Sequence, residues 1–154
     1  MSRILKFRAW DKINKEMINF CDPYFTDFYT FEADRGGGGL YFLHNVKNKR
    51  ELSGQDFILM QFTGRKDKNG VDVFDGDIVK FYCDDFAIAS YYNGIITYDD
   101  ENLFYRIHKI SFVDDGFKYP LHYYKNIEVI GNIYEDKYKH LWDKGEKWKK
   151  NYKQ

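Results

Sequence analysis

A chain of 154 residues, 31% charged and 44% hydrophobic, carries enough large apolar side chains to fold around one principal core, which excludes a disordered chain. Its 24 basic and 24 acidic residues cancel to a formal net charge of zero, so no whole-molecule field draws it towards nucleic acid or anionic lipid; such attraction has to come from a local patch. Two distant cysteines, Cys21 and Cys83, exclude a disulfide framework and a cysteine zinc site.

The 20% aromatic content, with 14 Tyr and 14 Phe, favours pleated, half-buried surfaces. Leu5, Phe7 and Ala9 alternate with Lys6 and Arg8 and read as a strand. A turn at 11–15 and a second strand around 17–20 complete a hairpin, which Pro23 stops from running on. Four glycines at 36–39 read as a loop or domain junction, because ordering each costs backbone entropy. Residues 40–43 read as a short strand, and 45–55 as polar and exposed.

From Leu59 the punctuation becomes regular. A strand over 60–63 leads to a turn ending in Asn69-Gly70, where both residues tolerate positive φ. Strand 71–74, a turn at Asp75-Gly76-Asp77 and strand 78–82 follow. Asn93-Gly94 introduces a strand over 95–98, linked through the acidic turn 99–102 to a strand over 103–107, and 127–130 is the last strand. Tyr138, Leu141 and Trp142 have the spacing of a helical face, interrupted by Gly145. The expected fold is mainly β: an N-terminal strand and loop region over 1–57, a small SH3-like barrel over 58–135, and a short helical, lysine-rich segment over 136–154.

Candidate chemistry is sparse. Asp75 and Asp77, Asp84 and Asp85, the acids at 99–101, and Asp114 and Asp115 all sit at turn signals, where aspartate bonds its own backbone. Residues 67–72 glance at a calcium loop, but glycine falls at the fourth position and the closing glutamate is missing. No Gly-Lys-Ser/Thr follows the glycine run, and His44, His108, His122 and His140 have no ligand pairing. None of Ser2, Ser53, Ser90 and Ser111 lies in a nucleophile elbow, and neither cysteine has an activating neighbour. No catalytic, metal-ligating or cofactor-binding residue is therefore assigned, and no cofactor is expected.

The best local candidate for binding is the basic, aromatic C-terminal segment. Lys139, Trp142, Lys147, Trp148, Lys149 and Lys150 are its candidate nucleic-acid or partner-binding residues, since lysines neutralise phosphates while aromatics stack on bases. The competing reading, which is preferred, docks the aromatics on the barrel and leaves the lysines to water.

Three blocks carry a family resemblance. Lys6-Phe7-Arg8-Ala9-Trp10-Asp11 with Met17-Ile18, the stretch from Leu59 to Gly70 followed by Phe74-Asp75-Gly76-Asp77-Ile78-Val79, and Ile127-Glu128-Val129-Ile130-Gly131-Asn132-Ile133-Tyr134-Glu135 together resemble the YopX family of phage and prophage proteins. Residues 21–57 and those after Glu135 lie outside these blocks. The resemblance implies a phage or prophage product with a mainly β fold and an SH3-like C-terminal region; it brings no activity, cofactor or catalytic residue.

The expected function is a non-enzymatic binding or adaptor protein with a host or phage protein as partner, able to self-associate, and the alternative is nucleic-acid binding through the C-terminal segment. A hydrolase or nuclease built from scattered Asp and His is the least favoured reading. The first six residues lack an apolar signal run and no stretch approaches the roughly 20 apolar residues of a membrane span, so the expected location is the bacterial cytoplasm.

Overall fold

The computed structural model describes residues 4–20, 29–33, 41–45, 50–83, 90–110, 119–138 and 140. The chain divides into two compact units, Met1–Phe62 and Thr63–Gln154. Their described elements are strands and 3-10 turns, with no α-helix among them.

In the first unit, β1 (Phe7–Asp11) and β2 (Glu16–Asn19) form an antiparallel hairpin with Ala9 opposite Ile18. Asp11 closes its turn: the buried carboxylate accepts the N–H groups of Ile13 at 2.7 Å and Asn14 at 2.9 Å, and Lys15 takes the left-handed φ of 56° that completes the reversal. A three-stranded antiparallel sheet consists of β3 (Tyr29–Ala33), β4 (Tyr41–Asn45) and β5 (Arg50–Leu52). The long strand β6 (Phe57–Lys66) pairs through its first half with β1. Ala9, Ile18, Leu52 and Phe57 make a core cluster.

Leu52 corrects the expectation for 45–55. It is only 1% exposed, because a short strand pairs Leu52 with Leu43 and turns its side chain into that cluster. The four glycines at 36–39 lie outside the described residues.

The second half of β6 lies beside β7 (Asp72–Phe74), and Thr63 Oγ1 donates to the Val73 carbonyl at 2.9 Å. A second four-stranded antiparallel sheet has the order β10-β9-β8-β11 and curls into a half-barrel; its strands are β8 (Asp77–Cys83), β9 (Ser90–Asp99), β10 (Phe104–Lys109) and β11 (Lys125–Asn132). The expectation of a mainly β protein holds, and where the sequence predicts a small SH3-like barrel the described strands form a curled half-barrel.

The middle of this sheet is buried on both faces, and the period of two in the sequence explains how. Val79, Phe81, Ile96 and Ile107 pack on one face with Val73, Leu121, Tyr124 and Ile127. Ile78 and Ile95 point the other way and pack with Ile133, flanked by Ile130, Tyr134 and Tyr138. Burying each such side chain contributes roughly 1.5–3 kcal/mol, so these two clusters supply most of what holds the unit together.

One further expectation does not hold. Asn93-Gly94 introduces no strand: β9 runs straight through it, with Asn93 opposite Lys80 and Gly94 opposite Val79. Glycine is there for space, since a Cβ at residue 94 would overlap Ile107 Cγ2 and come within 3.0 Å of Phe81 Cε1. Beyond β11, Asp136–Tyr138 is a 3-10 turn and His140 is helical; Leu141 and Trp142 lie outside the described residues.

Candidate functional site

The buried acids account for themselves locally. Asp67 accepts the amides of Asn69 at 2.8 Å and Val71 at 2.9 Å, then reaches β11 to accept that of Val129 at 3.0 Å. Burial pushes the Asp67 carboxyl up, but these three amides, with the Lys68 ammonium, outweigh it and hold the group below its ordinary range. Asp77 accepts the Phe74 amide at 2.8 Å. Asp99 accepts those of Glu101 and Asn102, both at 3.1 Å, and faces Arg106 Nε at 3.5 Å. Among the described residues no three His, Cys, Asp or Glu side chains form a group able to hold a metal ion.

Arg65 is likewise structural. Its guanidinium donates to the carbonyls of Leu121 and Tyr124, clamping the 3-10 turn Leu121–Tyr123, and burial lowers its pKa.

A different character belongs to one face of β11, β8 and β9. Residues directly opposite in an antiparallel ladder share a face. Lys125, Tyr82 and Tyr91 form one row across the three strands, and Glu128, Lys80 and Asn93 form the next. The Tyr82 and Tyr91 rings meet edge to face with centroids 5.3 Å apart, and Lys80 Nζ lies 5.0 Å from the centre of the Tyr91 ring. Tyr91 is 56% exposed, although a tyrosine on a central strand usually contributes to stability by being buried.

The charges on this face are unequal. Lys68 Nζ pairs with Glu128 at 2.6 Å, and that hydrogen bond holds the Lys68 ammonium above its ordinary pKa. Lys80 and Lys125 are exposed and form no ion pair among the described residues. Among the described residues the face therefore presents two positive charges without an ion pair, beside two tyrosine rings. An exposed cation–π contact such as Lys80 on Tyr91 is worth about 0.5–1 kcal/mol, whereas stacking of a planar ring on an aromatic side chain is worth about 1–3 kcal/mol. Exchange of one for the other is downhill.

The sequence-derived site lies elsewhere. Lys139, Trp142, Lys147, Trp148, Lys149 and Lys150 are all outside the described residues. Only the start of that segment is placed: Tyr138 donates its hydroxyl to the Ile130 carbonyl and packs with the Ile78 cluster, while Lys137 pairs with Glu135 at 3.0 Å and lies 4.7 Å over the Tyr138 ring. Sequence reasoning missed Lys80, Tyr82, Tyr91 and Lys125. Alternation along 78–82 puts Lys80 and Tyr82 on one face, but their union with Tyr91 and Lys125 depends on cross-strand register.

Comparison with known proteins supports the same architecture. The family model described as YopX protein matches residues 6–138, running through 21–57 as well as the three blocks noted above. The crystal structure of protein EF1440 from Enterococcus faecalis is 28% identical and superposes with a TM-score of 0.51, covering 88% of this chain and 97% of that one. The crystal structure of YopX from Bacillus subtilis is 19% identical with a TM-score of 0.54, covering 84% of this chain and 92% of that one, a likeness of fold. No curated protein matches the chain.

Proposed function

The chain belongs to the YopX family, and from that premise we propose that it is a phage- or prophage-encoded, non-enzymatic binding or adaptor protein of the bacterial cytoplasm. The observation that carries this reading is the division of labour among its polar groups. Asp11, Asp67, Asp77 and Asp99, the buried acids, accept backbone amides of their own turns, and Asp67 also that of Val129 on β11, while the exposed residues of the half-barrel sheet are Lys80, Tyr91, Tyr98, Lys125 and Asn126. Exposed tyrosine and lysine on one sheet face support a binding reading. In this reading the half-barrel serves as an SH3-like platform, with β7 and the end of β6 as its additional strands.

The C-terminal candidates Lys139, Trp142, Lys147, Trp148, Lys149 and Lys150 remain in this proposal as a second contact region, because Tyr138 anchors the start of their segment to the second unit. Affinity capture with the full chain from infected host lysate, with light-scattering sizing of the purified protein, tests the reading. A stoichiometric partner, protein or nucleic acid, or a defined self-assembly is expected. A monomer that recovers nothing above a control resin overturns it.

A further inference from the structure

We infer that the sheet face carrying Lys80, Tyr82, Tyr91 and Lys125 is a binding surface for single-stranded nucleic acid. The inference rests on the binding reading above and gives it a place and a ligand class. Three observations support it. The tyrosines are neighbours across β8 and β9, in contact edge to face, and Tyr91 is more than half exposed. Lys125 stands opposite Tyr82 on β11, and Lys80 lies over the Tyr91 ring, so a cation flanks each aromatic. Lys68, from the turn after β6, is paired with Glu128, which leaves Lys80 and Lys125 as the cations beside the rings that form no ion pair among the described residues.

Strand spacing of about 5 Å and a two-residue repeat of about 7 Å put all four side chains within a patch that accommodates about two or three bases, as in other sheet-based readers. A base stacking on Tyr91 displaces Lys80 from the ring, and the released ammonium is then free to meet a phosphate, because base stacking is stronger than an exposed cation–π contact. A duplex hides the π-faces of its bases and gains only from the lysines. An acidic polypeptide gains only from the lysines too, which is why the exposed tyrosine pair favours the single strand.

The test is fluorescence anisotropy of a labelled oligothymidylate with the full chain at about 50 and 200 mM salt. Binding is expected to weaken with salt. Tyr91→Ala should lower affinity by about 5- to 150-fold with the salt dependence unchanged, and Tyr91→Phe, which keeps the ring, should recover most of the loss. The Lys80→Gln, Lys125→Gln double variant should reduce the slope of log affinity against log salt by about 1.4, the value for two phosphate contacts on a single strand.

Absence of binding at the lower salt overturns the inference. Binding indifferent to these changes but lost on Lys147→Gln, Lys149→Gln, Lys150→Gln also overturns it, while leaving the binding reading standing. Equal affinity for polyglutamate would assign the face to acidic polypeptide instead. Circular dichroism of each variant separates lost binding from lost fold, and a variant that unfolds is replaced by Tyr91→Ser or by the single lysine changes.

Discussion

Tyr138 is seated on Gly131: its hydroxyl donates to the neighbouring carbonyl of Ile130, and a Cβ at residue 131 would overlap Cε2 and Cζ of its ring. Glycine at this point of β11 is the socket for the chain segment that follows the sheet. Gly131→Ala should destabilise the protein by about 1–3 kcal/mol in urea unfolding, the usual cost of overpacking. Added to Tyr138→Ala, it should cost at least about 1 kcal/mol less than it does alone, since the methyl group then has room. Additive effects would show that the two residues do not share this space.

Asp67 joins the turn after β6 to β11 through three amides. Its pKa is lowered in the fold, so its stabilisation is complete above the unfolded value of about 3.9 and is lost as pH falls through the lower, folded value. Asp67→Asn should cost about 2 kcal/mol at pH 7. The gap to the parent protein should narrow as pH falls below about 4, where the unfolded chain of the parent takes up a proton that the folded state binds only below its own, lower pKa. Urea unfolding at neutral and acid pH measures this, and a pH-independent gap would contradict it.

Two glycines should respond differently to alanine. Gly76 has a φ of 78°, and the side-chain atom nearest to where a methyl group would sit is 3.5 Å away, so Gly76→Ala meets backbone strain alone, about 1–2 kcal/mol. Gly94→Ala meets Ile107, Phe81 and the His108 carbonyl inside the sheet and should cost about 3 kcal/mol. Chemical denaturation of both variants checks the order, and the reverse order would refute the packing role of Gly94.

Arg65 holds two carbonyls of the 121–124 turn with one planar fork. Lysine cannot reproduce that geometry. Arg65→Lys should lose about 1–2 kcal/mol and speed hydrogen exchange at the amides of Tyr123 and Tyr124, which close this turn on Pro120 and Leu121. Unchanged exchange at those two amides would show that the turn stands without the clamp.

Local chemistry was readable wherever one residue and its neighbours decide the outcome. The β1–β2 hairpin, the turns with positive φ at Gly70 and Gly76, and the aspartates that cap their own backbone follow from alternation and turn preference. Leu52 was not readable, because its burial depends on pairing with a strand some ten residues away. The Asn93-Gly94 signal misled, since the demand for a missing side chain there comes from Ile107 and Phe81 on the adjacent strands.

Function divides along the same boundary. Composition, alternation and motif order by themselves determined a mainly β chain of the YopX family, with balanced charge and acids committed to turns. Only the tertiary structure decided that Lys80, Tyr82, Tyr91 and Lys125 share one surface, and that Lys68 is paired with Glu128 while Lys80 and Lys125 form no ion pair among the described residues. The reason is physical: alternation assigns a side chain to a face of its own strand, but which strands lie side by side, and in what register, is set by the joint burial of Ile78, Val79, Phe81, Ile95 and Ile96.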